Sequence, residues 1–138
     1  HPLGNFTINH FAAIRVAPDR ISLDVVIDRA EIPAFQEQQL LDSDGNGTLS
    51  PAEIDAGRQP ECTTLAASIT IAVDGQAVEP VLVDAGLALP PGAGGLSTMR
   101  LVCEYVAKLT TPLSSAATVT FADGSFAERI GWGESRAA

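Results

Sequence analysis

Arg20-Ile-Ser-Leu-Asp-Val-Val-Ile-Asp28 is the stretch that decides the fold. Ile21, Leu23, Val25 and Ile27 fall at every second position and share one face, the pattern of a strand buried on one side. Ser22, Asp24 and Asp28 take the other face, where Val26 is the one apolar exception. Phe6 to Val16 reads as a second strand. Ala17-Pro18-Asp19 between the two carries turn residues, so the pair is a hairpin.

Beyond Asp28 the period changes. Ile32, Phe35, Leu40 and Leu41 approach helical spacing, and Pro33 suits a first helical turn. A second helix is expected from Pro51 towards Arg58. Pro60 should interrupt it or open another turn, running through Cys62 to about Ala67. Strand character then returns. Ser68 to Val73 and Ala77 to Val83 flank Asp74-Gly75 as a hairpin, and Leu87 to Leu89 continue a strand. Pro90 to Gly95 is a loop, without the Lys-Ser/Thr of a phosphate-binding loop. Leu101, Cys103, Tyr105, Ala107 and Leu109 alternate within a strand from Thr98 to Leu109. Ala117 to Phe121 and Phe126 to Ile130 form a last hairpin across Asp123-Gly124. Six to eight short strands at this spacing predict a mainly β fold. The expected form is an antiparallel β-sandwich, immunoglobulin-like in a broad sense, in a single domain over 1–138. A helix–loop–helix insertion occupies 32–59.

The loop inside that insertion is Asp42-Ser-Asp-Gly-Asn-Gly-Thr-Leu-Ser-Pro-Ala-Glu53. It fits the twelve-residue calcium loop of an EF-hand. Asp42, Asp44 and Asn46 stand at positions one, three and five, and Gly47 permits the sharp turn at six. Thr48 offers its backbone carbonyl, Ser50 contributes directly or through water, and Glu53 closes the shell with two oxygens. Leu49 at position eight points away from the ion. Ser50-Pro51-Ala52-Glu53 also forms a helix start, with an N-cap serine, proline at the first turn and a capping-box glutamate. A plain Asp-Gly/Asn-Gly turn does not require Gly47, Leu49 and Glu53 together. Ca²⁺ is therefore the expected cofactor.

Cys62 and Cys103 are the only cysteines, 41 residues apart. The preferred reading is one disulfide, tying the second helix to a central strand, in an oxidising compartment. The alternative is two buried free thiols. Eight basic residues against seventeen acidic ones give a net charge of −9, and Lys108 is the only lysine. Nucleic acid is excluded as a partner, because phosphate binding needs a basic face. No apolar run reaches the length of a membrane span.

Six further blocks share a likeness. They are His1-Pro-Leu-Gly-Asn-Phe-Thr-Ile-Asn-His10, Ala30-Glu31-Ile32-Pro33, Ile69-Thr-Ile-Ala-Val-Asp-Gly75, Leu96-Ser-Thr-Met-Arg-Leu-Val-Cys103 and Phe126-Ala-Glu-Arg-Ile-Gly-Trp132, together with Glu61-Cys62. The chain resembles the extracytoplasmic N-terminal domain of actinobacterial membrane proteins commonly labelled high-affinity nickel transporters. In those proteins a signal peptide precedes the His-Pro start, and transmembrane helices follow a soluble region. The resemblance implies an outward-facing domain whose partner is the membrane part of the same protein. It also implies that His1 lies at or near the mature N-terminus. The calcium loop departs from the family pattern, so its role is not carried over.

Under that resemblance, the amine and imidazole of His1 can chelate Ni²⁺ or Cu²⁺, with His10 as a third nitrogen. The plain alternative is an exposed terminus and a solvent-facing His10. Asn5-Phe6-Thr7 and Asn46-Gly47-Thr48 match glycosylation sequons, and Trp132 is expected to be buried near a strand end. No HExxH or GxSxG motif occurs, and the clustered carboxylates are accounted for by calcium, so no enzyme is expected. The reading is a non-enzymatic calcium-binding extracytoplasmic domain with a structural ion. Alternatives are a calcium-dependent partner-binding or dimerisation module, and nickel or copper capture through His1.

Overall fold

The computed structural model of the chain describes residues 6–113, 116–124 and 134–137, the last as backbone. The chain is mainly β, with two helices placed between strands. In order, the elements are β1 (Ile8–Ala17), β2 (Arg20–Arg29), α1 (Glu31–Leu41), α2 (Pro51–Ala66), β3 (Ile69–Val73) and β4 (Gln76–Val78). They are followed by β5 (Val81–Ala88), β6 (Met99–Lys108), β7 (Val119–Asp123) and β8 (Glu134–Ala137). Two antiparallel four-stranded sheets result, ordered β1-β2-β6-β5 and β4-β3-β7-β8.

One core lies between the sheets. Ile21, Leu23, Val25 and Ile27 of β2 meet Leu101, Cys103, Tyr105 and Ala107 of β6. Ile69 and Ile71 of β3 and Val119 and Phe121 of β7 close it from the other sheet. The inward residues are those of the alternating pattern, since a strand covered on one face buries every second side chain. β1 and β2 pair from Ile8↔Arg29 to Ala17↔Arg20, leaving Pro18-Asp19 as the turn. In the β3–β4 hairpin, Asp74 (φ 51°) and Gly75 (φ 84°) are both left-handed, as a two-residue turn of this hand requires.

The expected strand over Ala77 to Val83 is two strands in different sheets. β4 ends at Val78, and the chain crosses at Glu79-Pro80 to begin β5 at the edge of the other sheet. Pro80 has no N–H to give a ladder, so the break falls where pairing cannot continue. The reverse holds at Pro60. α2 runs unbroken through it to Ala66, so the helical insertion extends past 59. Proline removes one internal bond, and the burial of Cys62 and Leu65 beyond it holds the last turns in place.

The buried side of α1 also differs from expectation. Glu31 and Ala34 are buried, whereas Phe35 and Leu40 are exposed. The helix is seated by polar contacts from a distant loop: Ala93 N–H donates to Glu31 Oε2 at 2.7 Å, and Gln38 Nε2 donates to Ser97 Oγ at 3.0 Å. A Cβ on Gly92 would stand 2.6 Å from Glu31 Oε2, so the loop's glycine permits this approach. The expected strand Phe126 to Ile130 lies outside the described residues, as do His1 and Trp132; β7 pairs with β8 instead.

Cys62 and Cys103 form a disulfide, with Cα atoms 5.5 Å apart. It joins α2 to β6, which lies between β2 and β5 in its sheet.

Candidate metal centre

Asp42 closes α1, its N–H donating to Gln38 O at 2.9 Å. α2 opens on the capping box: Glu53 N–H donates to Ser50 Oγ at 3.1 Å, and Ser50 N–H donates to Glu53 Oε1 at 2.9 Å. The two helix ends thus deliver one carboxylate each to the loop between them. Gly45 (φ +70°) and Gly47 (φ +86°) turn the backbone back on itself. Gly57 lets the helices approach, since a Cβ there would meet the Leu41 side chain at 2.7 Å.

Asp42, Asp44 and Glu53 each bring a carboxylate oxygen within 4.8 Å of the other two. Glu53 is buried, Asp42 half-buried and Asp44 exposed, so the cluster opens to solvent on one side. Backbone donors hold the carboxylates: Gly47 N–H donates to Asp42 Oδ2 at 2.7 Å, and Asn46 N–H to Asp44 Oδ1 at 3.1 Å. Ser43 Oγ and Asp44 N–H both donate to Glu53 Oε2, at 3.2 and 3.3 Å. Asn46 Oδ1 accepts from Thr48 N–H at 3.0 Å, and the Ser50 hydroxyl serves the cap. The structure therefore brings three of the six sequence-selected residues together through charged oxygens. Asn46, Thr48 and Ser50 shape the loop around them.

The electrostatics follow from this arrangement. The N–H of Ser50 is the main influence holding the Glu53 carboxyl down, to about 2, against the opposing effect of burial. N–H groups favour the charged form. For Asp44 the balance goes the other way. Asn46 N–H pulls its carboxyl down, but the hydrogen bond with Asp42, desolvation and the charges of Glu53 and Asp42 hold it above its usual value. Like charges gathered without a counter-ion disfavour further ionisation. An all-oxygen, carboxylate-rich donor set suits a hard divalent cation.

His10 points inward from β1, not to solvent. Its Nε2 lies 2.7 Å from Asp123 Oδ2 of β7, both side chains largely buried, so the pair bridges the two sheets. Its relation to His1 falls outside the described residues. Two features had no local signal in the sequence. Ser43, at loop position two, supports Glu53. Arg29, Glu37 and Glu61 stand in an apolar groove of about 550 Å³ bounded by Ile27, Leu41 and Leu65.

No helix among the described residues is long and apolar enough to cross a membrane. Comparison of the chain with family models, curated proteins and solved structures gives no match in any of the three.

Proposed function

We propose that this chain is a non-enzymatic, extracytoplasmic domain of a membrane protein in which an EF-hand-like loop binds a structural Ca²⁺. The convergence of Asp42, Asp44 and Glu53 within 4.8 Å, between the end of one helix and the start of the next, carries the reading. The raised Asp44 carboxyl fits it, because a divalent cation would relieve the repulsion that raises it. The disulfide supports an oxidising compartment. An extracellular module works with a weak site, with a dissociation constant on the order of 10⁻⁴–10⁻³ M. The ion would fix the angle between α1 and α2 and stabilise the folded chain by mass action, about 2.7 kcal/mol at a hundredfold excess over the dissociation constant. Calorimetric titration with CaCl₂ and melts in calcium or EGTA test this. Binding heat and a higher melting temperature in calcium are expected; no heat and superimposable melts would sink the proposal.

A second reading rests on α1. Phe35 and Leu40 are exposed, and Phe35 lines a cleft of about 310 Å³ with Asp42, Thr48 and Leu49. Apolar surface beside a cation loop suits calcium-dependent docking of a partner. Light scattering of the full-length protein in calcium and in EGTA separates a regulatory hand from a structural one.

A further inference from the structure

The β1-β2-β6-β5 sheet has an outer face that no described element covers. α2 meets the sheet from the core side, where Cys62 bonds Cys103 and Leu65 joins the core. Register sorts the outward side chains into rows. Phe11, Val26, Val102 and Gly86 form one row across all four strands. Phe11 is 54% and Val102 37% exposed, and a Cβ on Gly86 would stand in open space. Val26, the apolar exception on the outer side of β2, is thus part of a continuous band. The adjoining row on one side is Ala13, Asp24, Glu104 and Asp84; on the other it is Asn9, Asp28, Arg100 and Ala88.

The charge on this face is unlike that of the chain. Arg15, Arg20, Arg100 and Lys108 stand there against Asp24, Asp28, Asp84 and Glu104, which balances to zero in a chain of net charge −9. Many are already paired: Arg100 grips Asp28 with two bonds of 2.7 and 2.8 Å, and Arg15 pairs with Asp24. Two copies carrying this net charge repel one another in general, but a neutral face removes the local part of that cost. A basic partner would favour a net acidic face, so the balance points to a second copy.

We infer that two copies associate face to face, with a two-fold axis along the Phe11–Val26–Val102 band. Such an isologous contact places each band residue against its own counterpart. It also sets Arg100 of one copy over Glu104 of the other, twice, because the two lie equally far from Val102 on β6; by the same symmetry Asp28 faces Asp24, each already paired with an arginine of its own copy. The result is an apolar centre with a charged rim. Three strands of ten residues and one of eight, about 4.8 Å apart, present roughly 600 Å² per copy. That is below the about 800 Å² per partner of a standard stable interface, so the dimer is concentration-dependent.

Sedimentation velocity over a concentration series tests this, with calcium and with EGTA. The wild type should pass from monomer to dimer in both, since no candidate calcium ligand lies on the face. Added salt should strengthen the dimer by screening the net charge. Val102→Asp should weaken it at least about tenfold while keeping the wild-type melting profile. Should that variant fail to fold, Val26→Cys decides: it should cross-link to its counterpart through a short bis-maleimide, while Gln76→Cys on the other sheet should not. A wild type monomeric at its highest soluble concentration would overturn the inference. So would a dimer that requires calcium, or one indifferent to Val102→Asp with no Val26→Cys cross-link.

Discussion

The Tyr105 hydroxyl donates to the backbone carbonyl of Cys62 at 2.6 Å, two residues along β6 from the cysteine to which Cys62 is bonded. Helix and strand are therefore pinned twice within one short span, once covalently and once by a buried hydrogen bond. Tyr105→Phe removes only the second pin and should cost about 1 kcal/mol, read as a shift in denaturant midpoint. Burial, with a smaller contribution from Asp123, pushes the phenol well above its ordinary value. The folded state thus keeps Tyr105 neutral while the unfolded chain ionises near pH 10. Stability should fall as pH rises above that value, and the variant should lose that component.

Reduction of Cys62–Cys103, or the double change Cys62→Ala/Cys103→Ala, releases a loop with a sequence separation of 41. The chain-entropy relation predicts a loss of about 4 kcal/mol. Chemical denaturation with and without reductant measures it directly. A loss well under 1 kcal/mol would mean that the core holds α2 without the bond.

Asp44→Asn separates the cost of the carboxylate cluster from its use. Without calcium the variant should melt higher than the wild type, because one of three crowded negative charges is gone. In calcium the order should narrow or reverse, with affinity reduced about tenfold or more by the lost charged ligand. Paired melts in EGTA and in calcium show both effects. A lower melting temperature in EGTA would contradict the repulsion argument.

Glu61 gives the neutral-pH prediction. Burial is the chief cause that raises its carboxyl to about 7, helped by the hydrogen bond and charge of Glu37 and opposed by Arg29, whose guanidinium lies 3.8 Å away. A carboxyl raised in the folded state favours folding while protonated. Its contribution is complete below the unfolded value of 4.5 and is lost as pH rises through about 7. Glu61→Gln should flatten the melting temperature over that window. An unchanged slope would place the titration elsewhere.

β2 and β6 were legible because each is buried on one face only, which stamps alternation onto the sequence. The carboxylate cluster of Asp42, Asp44 and Glu53 was legible for a related reason: its members are neighbours in the chain, so spacing alone brings them together. Where distant residues decide, the sequence was silent. The buried side of α1 is set by Ala93, 62 positions from Glu31, and not by the helix's own apolar residues. Pro60 and Pro80 look alike locally. One sits in a helix held by the core beyond it, and the other falls where a strand must change sheets. Val26 was visible as an anomaly, but its meaning came only when register set Phe11 and Val102 beside it.

α2 can be regarded as a beam clamped at one end. Its sixteen residues span about 24 Å, with Cys62 and Leu65 locked in the core and Glu53 at the far tip. Pro60, just ahead of the clamp, deletes the bond that would stiffen the root. A cation gripped at the tip, as proposed, would therefore act with leverage on the helix, far from the sheets that hold its root.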